Sequence, residues 1–492
     1  MNASSTGAQP SAPDLSKIRR GPIVVALIIG AFVSILNETL LGNAFPELMK
    51  AFEVEESTIQ WLTTAYMLVV GVLVPVTALL QQWFTTRQMF LGAMILFAIG
   101  TIVSPFATDF SVLLIGRVIQ AFGTGLMLPV MMNTILAIFP PEKRGGAMGL
   151  IGLVIMFAPA IGPTVSGFIL DELSWEWLFY LVIPLALFSI IFAAIYMRNV
   201  STITKPKVDV LSILLSTIGF GGIVYGFSSA GSGEWSDAEV VWTISAGGVA
   251  LLLFIWRQFL LKEPVLDLRT FKFPMFSLVT VLMLVLMMTL FSTMTMLPLL
   301  LQIALLMTAF ASGLTMLPGG IVNGIMAPVA GVLFDKFGPR VLVIPGLALT
   351  VLSLWMFTGI DASTTKGYII AIHIVLMIGL SLVMMPAQTT ALNQLPRNLY
   401  AHGTAILNTL SQVSGAIGTA LFVSILSNGR NSYLKSSSDP QSPAEIANGY
   451  IAGINDAFWV GLIIAIVAFV LGCFIRRVKP PEGEEAHGPM GH

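Results

Sequence analysis

Charge is what this chain has least of. Only 10% of its 492 residues are Asp, Glu, Lys or Arg, against roughly 25% in a soluble globular chain. So few charges cannot coat a water-facing surface of this size, so most of the surface is expected to face lipid. The charges present nearly cancel, to a net −1, which argues against nucleic acid as a partner. Cysteine is almost missing as well. Cys473 stands alone in the last apolar run, which excludes an internal disulfide and a zinc-ligand spacing. No Walker A, GxSxG or HExxH sequence occurs in a fitting context, so neither an ATPase nor a membrane hydrolase is supported. No enzyme activity, metal or cofactor is expected.

Apolar residues fill the space that charge leaves: 56% of the chain is hydrophobic, with a mean hydropathy of +0.90. A bilayer-spanning helix needs about 20 mostly apolar residues. Fourteen such runs occur, at 22–45, 59–82, 88–107, 111–138, 146–170, 177–197, 210–230, 240–261, 274–302, 309–332, 340–359, 367–391, 401–427 and 454–477. They are continuous rather than alternating over about 10 residues, so helices are expected and not barrel strands. The first run is too long for a signal-peptide core and is read as a retained span. The fold class expected is therefore all-α polytopic, with fourteen transmembrane helices, short connections and one polar loop near 428–453.

Lys and Arg orient the chain. With the N-terminus in the cytoplasm and the loops alternating, nineteen of them fall inside, and four (Lys50, Lys366, Arg430 and Lys435) fall outside. Arg117, inside a span, completes the twenty-four. This bias predicts a multi-pass cell-membrane protein with both termini cytoplasmic. A weak repeat relates Ala78–Arg87 to Ala330–Arg340, and Pro141–Ala147 to Pro396–Gly403. It divides the chain into a tail at 1–21, a six-helix bundle at 22–200, two inserted helices at 201–273, a second six-helix bundle at 274–478 and a tail at 479–492. Paired bundles of this kind belong to alternating-access transporters.

Four motifs carry a family resemblance over nearly the whole chain. They are Leu36-Asn-Glu-Thr-Leu-Leu-Gly-Asn-Ala-Phe-Pro46, Arg117-Val-Ile-Gln-Ala-Phe-Gly-Thr-Gly125, the spacing of Gly149, Ala158, Gly162, Pro163, Ser166 and Gly167, and Gly331 through Arg340. With them the chain resembles the major facilitator superfamily, and within it the fourteen-helix drug:proton antiporter branch of the QacA/EmrB and lincomycin-efflux type. The resemblance implies export of small amphipathic molecules, cationic or neutral, with protons as the coupling ion, and Gly162, Pro163 and Gly167 as an antiporter motif. The chain departs from the pattern in three places. Asn37 stands where the branch has an aspartate, with Glu38 one place on; Gln81 replaces the first loop acid; and Ala158 and Ser166 replace two glycines.

Glu38 is the acid that lies well inside an apolar run, sixteen positions past Pro22, or about 24 Å of helix rise. An ionisable group there costs about 3 kcal/mol or more unless paired or hydrated, so a proton-exchange role is expected. The alternative is a structural carboxylate that snorkels to the interface. Arg117 lies at similar depth and needs an acceptor. It is expected either to tune Glu38 or to tie spans 1, 2 and 4 structurally. Gln120 is one turn away on the same face. Buried polar groups must find partners, which makes Asn37, Tyr66, Gln120, Asn323, Gln388, Asn408 and Gln412 candidates for substrate contact. Met127, Met156 and Phe291 join them as soft, adaptable surfaces. Asp335 and Arg340 are expected to latch a cytoplasmic gate against Arg144 at the start of span 5, the alternative being a solvated loop pair. The chain is expected to work as a monomer. A dedicated exporter of one endogenous metabolite, lipid or siderophore on the same fold is the competing function.

Overall fold

The computed structural model describes residues 20–139, 157–159, 161–200, 209–232, 235–261 and 264–476, and among these every regular element is helical. In hydrocarbon only a helix satisfies its own backbone donors and acceptors without an edge, which is why long apolar runs take this form. The first half comprises α1 (Arg20–Leu40), the short α2 (Phe45–Phe52) and α3 (Glu56–Ile59), α4 (Trp61–Trp83), α5 (Thr86–Val103), α6 (Phe110–Ile138), α7 (161–172) and α8 (Trp177–Tyr196). Then come α9 (Val210–Ser232) and α10 (Ala238–Leu260). The second half comprises α11 (Pro274–Leu299), α12 (Ala309–Phe337), α13 (Arg340–Phe357), α14 (Lys366–Asn393), α15 (Arg397–Ser436) and α16 (Pro443–Gly472).

Twelve helices among the described residues are long and apolar enough to cross a membrane, against the fourteen expected. The difference lies at two places. The 23-residue α4 is not among the twelve, and in the run 146–170 the residues 146–156 and 160 lie outside the described set. The expected polar loop near 428–453 is also corrected. α15 runs unbroken for 40 residues to Ser436, and α16 begins at Pro443. At 1.5 Å per residue α15 is about 60 Å long, twice the hydrocarbon thickness of roughly 30 Å. Its polar last turns look like a loop by hydropathy, yet polar residues do not break a helix that packs on a neighbour. Here that neighbour is α16: a Cβ on Gly429 would come within 2.8 Å of the Gly453 Cα.

Within the first half α5 packs on α6 and α8, α1 on α8 and α6, and α4 on α6. Within the second, α11 packs on α15, α14 and α16, α12 on α14, and α13 on α14 and α16. The halves meet where α4 crosses α15, and α9 lies along both of these helices while α10 packs on α9. The α9–α10 contact is backbone-close. A Cβ on Gly222 would sit 3.0 Å from the Gly247 Cα, and one on Gly247 would sit 2.7 Å from the Ile223 nitrogen. With no water to drive helices together, such small-residue contacts supply the packing. At the opposite end of the pair Arg257 donates to both carboxylate oxygens of Asp209, at 2.8 and 3.1 Å. Burial pushes the Asp209 carboxyl up, but bonds from Arg257 and Ser212 outweigh it and hold it below the usual aspartate range.

Gly247→Ala is expected to push α9 and α10 apart. The overpacking penalty is about 1–3 kcal/mol, measured as a lower Tm of the purified protein. Gly248→Ala, where a Cβ meets nothing within 4 Å, is the matched control and leaves Tm unchanged.

Candidate functional site

The last turns of α1 carry Asn37, Glu38 and Thr39 to the distal end of the bundle, the end away from the start of α1, and Gly42–Ala44 then turn the chain. Glu38 is half-buried and lines a small cavity of about 30 Å³. Thr39, Asn43, Thr63, Met67 and Pro163 share that cavity from the first half; Phe291, Met294, Thr295, Pro298 and Met316 share it from the second. The cavity therefore lies in the seam. It holds a water or two and is far smaller than the roughly 300–1,000 Å³ of a small-molecule site. A drug-sized ligand enters only if the halves part.

Behind Glu38 lies a buried polar cluster. Arg117 is fully buried and its guanidinium sits 4.2 Å over the Tyr66 ring. Nη1 donates to Gln120 Oε1 at 2.9 Å and Nε to the Leu62 carbonyl at 3.4 Å, while Nη2 is left without a partner. Gln120 Oε1 also accepts from Asn37 Nδ2 at 3.2 Å, and Gln120 Nε2 donates to Thr101 Oγ1 at 2.8 Å. The Tyr66 hydroxyl donates to Thr124 Oγ1 at 2.6 Å. The cluster draws on α1, α4, α5 and α6. Arg117 and Glu38 are charge neighbours without a direct ion pair among the described residues. The carboxylate faces the cavity, and the cation is held behind it.

Two further clusters fasten the distal ends of the halves, and hydropathy pointed to neither. Asn43 Nδ2 donates to the carbonyls of Pro163 and Ala309, both at 3.0 Å. Its Oδ1 accepts from Gln302 Nε2 and Ser312 Oγ, also at 3.0 Å. Gln302 reaches it from a π-helical turn, Leu300–Ala304, which follows Pro298. Pro298 is where the α-helical bond pattern is already interrupted. Farther out, the buried carboxylate of Glu56 pairs with Arg430 Nη1 at 2.6 Å and accepts from Tyr450 OH at 3.1 Å and Ser427 Oγ at 2.8 Å. In sequence Glu56 reads as a loop acid just ahead of the run 59–82. Nothing near it names a partner 374 residues away.

The other expected site residues scatter. Phe291 lines the cavity, Asn37, Tyr66 and Gln120 stand behind it, and Gln412 is half-buried on α15 near Gly71 with its Oε1 unpartnered. Met127 is not at the seam: it packs in the first-half core against Gly30, where a long thioether fills the space a glycine leaves. Asn323 accepts from Ser381 at 2.5 Å, tying α12 to α14. Gln388 and Asn408 are half-buried on α14 and α15 and are not among the residues lining the cavity. Gly162 abuts Thr39, and Gly167 and Pro163 abut Ala309 and Gly313 of α12, so the expected antiporter motif forms a close helix crossing at the seam. Met156 and Arg144 lie outside the described residues, as does the side chain of Asp335; Arg340 opens α13 and is exposed.

A helical bundle that crosses the membrane many times, split in two around a largely apolar cavity with a lone acid, defines a multi-pass carrier. Residues 27–419 match the family model of the Major Facilitator Superfamily, and the chain belongs to that family. It is a transporter and not an enzyme. It is 52% identical over 460 residues to the lincomycin resistance protein LmrB of Bacillus subtilis, covering 93% of this chain and 96% of that one. It is 49% identical over 479 residues to the protein of the same name from Listeria monocytogenes, covering 97% and 100%. The fold is shared with the crystal structure of a bacterial homolog of the human lysosomal transporter Spinster in its inward-facing, unoccupied conformation. The TM-score is 0.65 at 14% identity, over 94% of this chain and 97% of that one.

Glu56→Ala is expected to strip the counter-charge from the half-buried Arg430, a loss of up to about 3–5 kcal/mol, the figure for removing one partner of a buried pair. A cysteine placed on the distal seam would then react faster with a membrane-impermeant maleimide. An unchanged rate would mean that this pair does not hold the seam shut.

Proposed function

We propose that this chain is a proton-driven exporter of small amphipathic cations and neutral compounds, of the fourteen-helix drug:proton antiporter branch, working as a monomer in the cell membrane. The runs 59–82 and 146–170 complete the fourteen spans. The excess of Lys and Arg places both termini in the cytoplasm and the distal end outside. The observation that carries the reading is Glu38 on the seam cavity with the caged Arg117 behind it. A carboxylate there has two competing ligands, a proton and a substrate cation. A fixed cation one layer back keeps neither bound too tightly. Glu56, the other buried acid of the distal end, is committed to Arg430. Names of the relatives that mention lincomycin resistance support a drug as the cargo. Alternating access then requires the Asn43 and Glu56 clusters to break when the outer side opens. A cytoplasmic latch of Asp335 and Arg340 against Arg144 forms in exchange.

A monovalent cation exchanged for one proton leaves the cycle electrically neutral, so its export is expected to follow the pH gradient and hardly the membrane potential. A neutral compound exchanged for one proton follows both. Divalent cations are poor substrates, because a second charge stays unpaired in a low-dielectric cavity. Glu38→Gln abolishes concentrative efflux while keeping some binding of neutral compounds. The check is efflux of lincomycin and a panel of dyes and biocides in vesicles, with the two gradients imposed separately. Full pH-driven transport by Glu38→Gln would move the proton site elsewhere, with His373 the next buried candidate.

Asp335→Asn is expected to weaken the outward-open state by about 1–3 kcal/mol, the size of a charge-assisted hydrogen bond. Cysteine labelling would shift toward the cytoplasmic side, and Gln81→Leu would do much less. A labelling pattern identical to the parent protein would remove the latch from the cycle.

A further inference from the structure

A second cavity of about 350 Å³ opens at the distal end, beside the seam and apart from Glu38. Thr58 of α3 and Trp61 at the head of α4 form one wall; Tyr225 of α9 and Asp237 and Glu239 at the start of α10 form the other. Its volume falls within the roughly 300–1,000 Å³ of small-molecule sites. The walls select by chemistry. The rings of Trp61 and Tyr225, 5.6 Å apart and tilted by 46° against each other, both line the cavity. The Tyr225 hydroxyl donates to Glu239 Oε1 at 2.6 Å, which holds the carboxylate beside those faces. Asp237 adds a second acid, and no Lys, Arg or His lines the cavity.

Aromatic faces attract a cation through the ring quadrupole, and best one that is weakly hydrated. A metal ion gains nothing from rings and wants more oxygen ligands than two carboxylates offer. An anion meets two like charges. We propose that this cavity binds lipophilic organic cations, quaternary or protonated amines and phosphonium ions with ring or alkyl substituents. The site is built jointly by the distal cap and the α9–α10 pair. It touches the seam's lock: Glu56, Ser57 and Thr58 are consecutive on α3, and the first pairs with Arg430 while the other two line this cavity. The helix that closes the seam is thus also a wall of the site, so a bound cation bears on the element that must move when the seam opens.

The test is saturable binding of tetraphenylphosphonium to the full chain in nanodiscs of zwitterionic lipid, with empty discs subtracted. Glu38→Gln protein is expected to retain one site. In that background Trp61→Leu and Glu239→Gln each weaken binding about tenfold, the effect of one good cation contact. Trp61→Phe keeps a ring and a similar fold, and weakens it less than Trp61→Leu. Tetraphenylborate, of the same shape and opposite charge, shows no saturable binding. Absence of the site in Glu38→Gln protein overturns the proposal, as does a retained site that neither Trp61→Leu nor Glu239→Gln weakens. If Glu38→Gln leaves every binding event of the parent protein in place, the Glu38 reading fails. The outer site is still decided by the Trp61 and Glu239 variants.

Discussion

Arg117 is a permanent charge sealed in a bundle that faces lipid, and the wall that presents Glu38 is built around keeping it there. A guanidinium has five donors and no neutral form near physiological pH. The protein satisfies it with the Tyr66 face, the Gln120 side chain and the Leu62 carbonyl. Those partners are themselves pinned, Tyr66 by Thr124 and Gln120 by Thr101 and Asn37. Four helices are thereby locked in register, and the residue after Asn37 is the one acid on the seam cavity. One Arg117 nitrogen, Nη2, remains unpartnered. A buried donor left open is a standing penalty of about 1–3 kcal/mol, and it leaves the cluster short of one acceptor. An ionised Glu38 is the nearby group placed to supply that charge through space.

The distal seam adds a constraint of a different kind. Glu38, Asn43 and Glu56 lie on one stretch of chain, and each reaches the second half: a shared cavity, three of the four bonds of the Asn43 knot and an ion pair. None of the three can separate from the second half while the other two hold. Packed interfaces are bistable and not continuously deformable, so these contacts favour release together over gradual stretching. The Asn43 knot uses both donors and both lone pairs of one amide, so each bond broken without a replacement leaves a polar group unsatisfied.

Much of this fold was legible in sequence because hydrocarbon imposes a simple rule: apolar length marks a helix and an ionisable residue inside it marks a site. Arg117 and Gln120 were readable as a pair because three residues along a helix are neighbours. The first-span polar residues Asn37 and Glu38 stood out against apolar surroundings. What stayed hidden was partnership across the chain. Glu56 looked like an ordinary loop acid because hydropathy counts charges and cannot see Arg430. The continuous α15 was masked by polar side chains that a helix tolerates. Met127, a candidate for substrate contact by residue type, packs here in the first-half core by Gly30, because a thioether that fills a gap has the same composition as one that greets a substrate. Side-chain direction, not residue type, decides that question.

The α9–α10 pair raises a mechanical problem that its own contacts answer. α9 lies on both α4 and α15, one helix from each half, so any rocking at the seam must shear at least one of those contacts. Met67, Val224, Val413 and Ala416 meet there in an apolar cluster, with one hydrogen bond from Gln60, which caps α4, to Ser228 of α9. Dispersion contacts between such side chains are individually weak and non-directional, so one set can replace another as helices slide. The contact between α9 and α10 is the opposite. Backbone meets backbone at Gly222 and Gly247, and a two-pronged Arg257–Asp209 pair fixes the far end. The α9–α10 pair is therefore stiffer within itself than against α4 and α15, where apolar contacts dominate.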